Sequence, residues 1–176
     1  MKVKVKICGI RTLVAAQTAV DAGADFLGFN FVNASKRYIK PELAKKIIDR
    51  VKNRVKILGV FQNAKIDYVN KIVKLLDLDF IQLHEKRVIK SLKNKTTYKL
   101  VDRKIQGTGQ TPNLEEAEEL AKKSKIFFAG GLDRSNVAQI IKKVKPFAVD
   151  VASGIETDGI ENINKIKEFI KNAKEV

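Results

Sequence analysis

The chain has one cysteine, one methionine, one histidine and three prolines among 176 residues, and no tryptophan. A single thiol excludes an internal disulfide framework and suits a reducing cytosol. No apolar run approaches the length that spans a bilayer, so a membrane role is not expected. Residues 1–12 alternate valine with lysine and then reach glycine, without the apolar block of a secretory leader. The expectation is a cytoplasmic protein. No Pro/Gly/Ser-rich linker, low-complexity tract or break in composition interrupts the sequence, which points to one domain over residues 1–176. Scarce Met, Cys and Trp beside abundant Lys, Ile and Glu also resembles a heat-adapted composition.

What is present describes a globular chain: 44% hydrophobic and 31% charged residues. The net charge of +15 raises the question of an anionic partner. The lysines are interleaved with acids, as in "KPELAKKIIDR" and "NLEEAEELAKKSK", which is the pattern of solvated helix faces with i,i+4 pairs. Nucleic-acid binding is therefore not expected as the main function.

Short β-branched or aromatic runs alternate with amphipathic stretches. The runs are "VKVKICGI", "FLGFNFV", "VKILGVF", "FIQLH", "TYKLVD", "IFFAGGL" and "FAVDVASG". The stretches between them include "KPELAKKIIDRVKN", "KIDYVNKIVKLLD" and "KRVIKSLKNK". Ile66, Val69, Ile72, Val73 and Leu76 keep helical spacing, and Pro41 suits a first helical turn. Such alternation implies a parallel sheet with right-handed crossovers, its strands buried on both faces. An open doubly wound sheet and a closed βα barrel both fit. Glycines and polar residues gather just after the strands, in "CGI", "GTG", "AGGL" and "ASGIE", where both architectures place their sites. No G-x-G-x-x-G follows the first run, which removes support for a dinucleotide site. Seven strand-like runs are visible, and a full eight-stranded barrel needs about 200 residues or more. The crowded place is residues 85–112.

The lone thiol, Cys8, ends the first run. By its chemistry alone it reads first as a small buried hydrophobe. The ordered set "KICGIRT", "DAGADFLGFNFVNASKRYI", "GVFQN", "IQLHE", "GTG", "AGGLDRSNV" and "PFAVDVASGIE" changes that reading. Together these motifs closely resemble phosphoribosylanthranilate isomerases, the βα-barrel enzymes of tryptophan biosynthesis, over residues 3–84 and 126–172. The resemblance implies an α/β fold of the TIM-type βα-barrel class. The family has another strand and helix between "IQLHE" and "GTG", so the barrel here is expected to be reduced or irregular around the fifth unit. Whether "TYKLVD" is the fifth or the sixth strand stays open.

The resemblance implies an Amadori rearrangement of N-(5-phosphoribosyl)anthranilate, an intramolecular aldose–ketose conversion that needs one acid and one base and no cofactor or metal. It makes Cys8 the base and Asp102 the acid, with burial expected to keep the Asp102 carboxyl protonated. Strand alternation places Lys6 beside Cys8, where a positive charge would lower the thiol's pKa. Arg37 resembles the residue that meets the anthranilate carboxylate, which an arginine can pair bidentately. Gln82 and His84 are expected at the mouth of the site. Asp150 is expected either to pair with Lys6 across the barrel closure or to touch the sugar. Phosphate binding is expected from three loops: Gly107, Thr108 and Gly109; Gly130 and Gly131; and Ser153 with Gly154. The implied partner is a small phosphosugar, which a positive field would help to capture. The other readings are a barrel that binds a phosphate ligand without catalysis and a basic nucleic-acid binder.

Overall fold

The computed structural model describes residues 2–94, 96–102 and 113–176. The chain begins with β1 (Lys4–Cys8), α1 (Leu13–Asp21), β2 (Phe26–Asn30), α2 (Pro41–Val51), β3 (Lys56–Phe61), α3 (Ile66–Leu76) and β4 (Phe80–Leu83). Two strands then follow without a helix, β5 (Val88–Ser91) and β6 (Thr97–Val101). The regular alternation resumes with α4 (Leu114–Lys123), β7 (Ile126–Ala129), α5 (Val137–Val144) and β8 (Ala148–Val151). A short hairpin, β9 (Glu156–Thr157) and β10 (Ile160–Glu161), leads into α6 (Ile163–Lys174).

Local chemistry accounts for the helix starts. The Thr12 side chain accepts the Ala15 N–H at the start of α1. Asn113 accepts two backbone N–H groups ahead of α4, and Asn162 does the same for α6. Pro41 opens α2, where a missing N–H costs nothing. In α3 the buried Val69, Ile72 and Leu76 form the expected apolar stripe.

Strands β1 to β8 close into a barrel in chain order, with β8 returning to pair with β1. The sheet thus has eight strands and not the seven visible in the sequence. The extra one, β5, lies inside "KRVIKSLKNK", a stretch that reads as an amphipathic helix although its Val88–Ser91 form a strand. Its pattern has period two: Ile89 points inward and is fully buried, while Lys90 is exposed. Four such residues among lysines imitate a helical stripe.

β5 is also the exception to the parallel sheet, running antiparallel to both β4 and β6. Residues 84–87 alone connect β4 to β5, far short of the dozen or so residues that a parallel crossover requires. The chain can only turn back. A second reversal then restores the direction, so β6 pairs parallel with β7. "TYKLVD" therefore occupies the sixth position, and its C-terminal end emerges at the same mouth as the ends of β1 and β8.

Where none of the described helices lies between the strands, the sequence changes accordingly. Outward positions on β5 and β6 carry exposed Lys90, Thr97 and Lys99, and inward ones carry buried Ile89, Tyr98 and Leu100. The fully covered β7, "IFFA", is buried at every residue. Inside the barrel, aromatic rings from the beginnings of the strands plug the end remote from Cys8. Phe26 meets Phe80 and Phe127 edge-on at centroid distances of 5.4 and 5.3 Å, and Tyr98 stacks on Phe147 at 4.9 Å.

The period-two assignment of β5 is testable by urea denaturation. Ile89→Ala should lower stability by about 2–5 kcal/mol, because it empties a packed site. Lys90→Ala should change it by less than about 0.5 kcal/mol. Comparable losses in both variants would contradict the register.

Candidate active site

At the mouth formed by the strand ends lies a cavity of about 510 Å³. Cys8 enters it from the end of β1, Gln82 from β4, Asp102 from just beyond β6 and Asp150 from β8. The loops after β2, β4, β7 and β8 add Arg37, His84, Gly130, Gly131 and Ser153. Every one of these was expected from the sequence. Gly154 sits behind Ser153, outside the cavity lining. Gly107, Thr108 and Gly109 lie outside the described residues.

The floor of the cavity is a buried polar chain. Lys6, on the inward face of β1, is fully buried and donates to Asp150 Oδ2 at 2.7 Å and to Gln82 Oε1 at 2.5 Å. Of the two roles open to Asp150, the pairing with Lys6 across the β1–β8 closure is thus present. Its second oxygen, Oδ1, is buried without a hydrogen-bond partner and belongs to a residue that lines the cavity. Burial alone would lower the pKa of Lys6, but attraction to Asp150 and Cys8 outweighs it, and the ammonium stays protonated. Because Gln82 Oε1 accepts from Lys6, its amide nitrogen faces His84 Nε2, 3.0 Å away. That nitrogen must then be an acceptor, so the imidazole is neutral with its proton on Nδ1. Burial and the nearby Lys6 charge both depress the His84 pKa, which agrees with a neutral ring.

Lys6 pulls the pKa of Cys8 down, as expected, but the thiol still ends above its ordinary value. Burial raises its pKa, and the downward pull of Lys6 and Arg37 does not compensate. Lys6 moderates the shift without reversing it. A thiol with a raised pKa is less often ionised, but its thiolate is a stronger proton acceptor. Room for the pair comes from β2: a side-chain carbon on Gly28 would lie 2.8 Å from Cys8 Sγ and 3.0 Å from Lys6 Cε.

Asp102 is half-buried and close enough to His84 and Asp150 for its charge to act on both. Arg37 crosses the rim, and its Nε and Nη2 each donate to Glu156 at 2.7 Å. On the far side, Gly130 and Gly131 take φ of 88° and 71°, which side-chain-bearing residues resist. A side-chain carbon on Gly154 would come 2.0 Å from the Leu132 carbonyl oxygen, so the loops after β7 and β8 are packed backbone against backbone. Among the described residues no group of three or more His, Cys, Asp or Glu is arranged to hold a metal ion.

Sequence reasoning missed Glu156 and Glu161. Both are buried and both bind arginines of other loops. Glu156 ends the motif "PFAVDVASGIE" but was given no role, and Glu161 lies outside every motif, with only the following "TDGI" turn signal between them.

The electrostatics can be checked by following the alkylation rate of Cys8 against pH. Its midpoint should lie above that of a free cysteine. Replacing Lys6 by Met together with Asp150 by Asn, which avoids leaving a buried charge unpaired, should move the midpoint higher still. The sign follows because the pull of Lys6 on the thiol exceeds the push of Asp150. A midpoint that fell in this double variant would contradict the assignment.

A family model described as N-(5'-phosphoribosyl)anthranilate isomerase matches residues 5–95 and 86–172. The N-(5'-phosphoribosyl)anthranilate isomerase of Citrifermentans bemidjiense is 38% identical over 201 residues, covering 98% of each chain. That span exceeds the 176 residues of this chain, so the relative carries residues without a counterpart here. The crystal structure of phosphoribosyl anthranilate isomerase from Thermotoga maritima is 31% identical, with a TM-score of 0.85 over 99% of this chain and 100% of that one. A phosphoribosyl anthranilate isomerase in complex with reduced 1-(o-carboxyphenylamino)-1-deoxyribulose 5-phosphate is 32% identical, with a TM-score of 0.79 and the same coverage. With its eight-stranded barrel and the matches over nearly its whole length, the chain belongs to the N-(5'-phosphoribosyl)anthranilate isomerase family.

Proposed function

We propose that this chain converts N-(5-phosphoribosyl)anthranilate into 1-(o-carboxyphenylamino)-1-deoxyribulose 5-phosphate, with Cys8 as general base and Asp102 as general acid. The observation that carries this reading is that both side chains line one cavity, although they come from β1 and β6 and the barrel between them is shortened.

The chemistry has two proton transfers. Asp102, in its proposed role as general acid, passes a proton to the furanose ring oxygen, the C1–O bond breaks, and the nitrogen lone pair forms the Schiff base. Cys8, once its thiol has lost its proton to solvent, then takes the proton from C2, and those electrons move toward the iminium nitrogen to give an enolamine. Tautomerisation yields the ketone. No electrons leave the substrate, so the reaction requires no redox partner. The phosphate is held by the amides of Gly130, Gly131, Ser153 and Gly154, where close backbone approach suits an anion. Arg37 takes the anthranilate carboxylate. Asp150 Oδ1 accepts a hydrogen bond from the sugar, and His84 with Gln82 forms the adjoining wall. The positive net charge favours capture of a substrate with two anionic groups. The whole chain acts as one barrel domain in the cytoplasm.

Loss of anthranilate fluorescence on incubation with phosphoribosylanthranilate measures the reaction directly. Cys8→Ala and Asp102→Asn should each lower kcat by about 10²–10⁴-fold, the usual contribution of a positioned acid or base. Near-normal turnover in Asp102→Asn would remove it as the acid. A parent chain that binds phosphate ligands without turnover would favour the binding-only barrel.

The phosphate loops carry a separate expectation. Gly154→Ala should raise KM for the substrate at least about tenfold, because the two loops must separate to admit the methyl group. The KM for this variant, read alongside its thermal midpoint, checks it; an unchanged KM would contradict the backbone packing of the two loops.

A further inference from the structure

The hairpin after β8 places two glutamates face to face. Glu156 and Glu161 are direct cross-strand partners, and both are buried. The turn between the strands is made by Asp158 and Gly159, with φ of 53° and 76°, as a tight two-residue hairpin requires. Two like charges opposite each other in a hairpin repel, and buried carboxylates are costly unless each is paired. Here each has its own arginine, and the two arginines come from two different loops.

Glu156 takes the Nε/Nη2 edge of Arg37, from the loop after β2, in two bonds of 2.7 Å. Glu161 Oε1 accepts the backbone N–H of Arg11, from the loop after β1, at 2.5 Å, and Oε2 lies 3.3 Å from Arg11 Nη2. Arg11 Nη1 in turn donates to the Lys36 carbonyl at 3.1 Å, holding the residue that precedes Arg37. Lys165 Nζ donates to the Glu156 carbonyl at 2.7 Å and anchors the hairpin to α6. The stem of Arg37 lies over Gly9, where an added side-chain carbon would be 2.5 Å from Arg37 Cδ. The stem that carries the guanidinium is therefore fixed directly against the residue that follows Cys8.

A guanidinium has two bidentate edges. With the Nε edge taken by Glu156, the Nη1/Nη2 edge remains for a ligand carboxylate. Arg37 lines the cavity, whereas Glu156 stands behind it. We propose that Glu156 and Glu161 are positioning residues, and that the β9–β10 hairpin is a two-arginine clip that sets the orientation of Arg37 and so the preference for a substrate bearing an ortho carboxylate. This deepens the isomerase reading and rests on it. Charge balance is part of the device: Arg37 alone is neutralised by Glu156, and Lys36, 3.9 Å from the same carboxylate, returns the group to net positive.

The test compares phosphoribosylanthranilate with N-(5-phosphoribosyl)aniline, which lacks the carboxylate, in the full-length chain. Glu156→Gln keeps the shape of the side chain and an acceptor for Nε. For the carboxylated substrate it should raise KM about tenfold or more with kcat changed less than about threefold. For the aniline substrate it should leave both constants within about twofold, so that discrimination between the two collapses. Glu161→Gln should act in the same direction and more weakly, because it works through Arg11 and Lys36. A second readout needs no turnover: calorimetric Kd values for reduced 1-(o-carboxyphenylamino)-1-deoxyribulose 5-phosphate and its descarboxy counterpart. Glu156→Gln should weaken only the first. Equal loss for both members of a pair would show a merely structural role and overturn the clip, as would no change in either. A parent chain that binds both ligands but turns over neither substrate would count against the isomerase reading alone, and the binding pair would still judge the clip.

Discussion

A barrel must pair every strand edge, and this chain does so with too few residues for eight helix crossovers. That constraint shapes the whole molecule. With only residues 84–87 between β4 and β5, the fifth strand can close the wall only by running backwards. One reversal would have left β6 inverted and its C-terminal end at the aromatic plug. Two reversals cancel. Asp102 therefore arrives at the same mouth as Cys8, and the site survives the loss of the helices that would otherwise flank β5.

The same constraint explains which parts of the fold were legible in the sequence. The covered strands declare themselves, because burial on both faces makes runs such as "IFFA" and "AVDV" unmistakable. The strands with a solvated outer face do not. "VIKS" alternates Ile89 inward with Lys90 outward, and four residues cannot distinguish that from one helical turn. The motif residues of the site were visible through the ordered set of family-like motifs that carries them; by its chemistry alone Cys8 reads as a small buried hydrophobe. Glu156 and Glu161 were not, since their roles depend on a turn that brings them opposite each other and on arginines more than a hundred residues away.

Electrostatics was the least legible layer. Strand parity placed Lys6 beside Cys8 correctly and gave the right sign for its pull on the thiol, but not the larger opposing effect of burial. Desolvation is a collective property of the packed site, and here it exceeds the attraction of a single ammonium that Asp150 already engages. The site thus combines a protonated resting thiol, a neutral His84 and a fixed Lys6–Asp150 pair beneath them. Among the described residues, Arg37 and Lys36 form its cationic rim, where the substrate's own charge would be met.

The central claim is that the reversed fifth strand leaves the proposed acid, Asp102, and the proposed base, Cys8, facing one cavity. The most direct measurement is a crystal structure of this chain with reduced 1-(o-carboxyphenylamino)-1-deoxyribulose 5-phosphate bound. The account predicts β5 antiparallel to both neighbours, the sugar carbons between Cys8 and Asp102, the phosphate on the loops after β7 and β8, and the carboxylate on the free edge of Arg37. A parallel β5, or a ligand seated in the cavity without contact to Asp102, would contradict it.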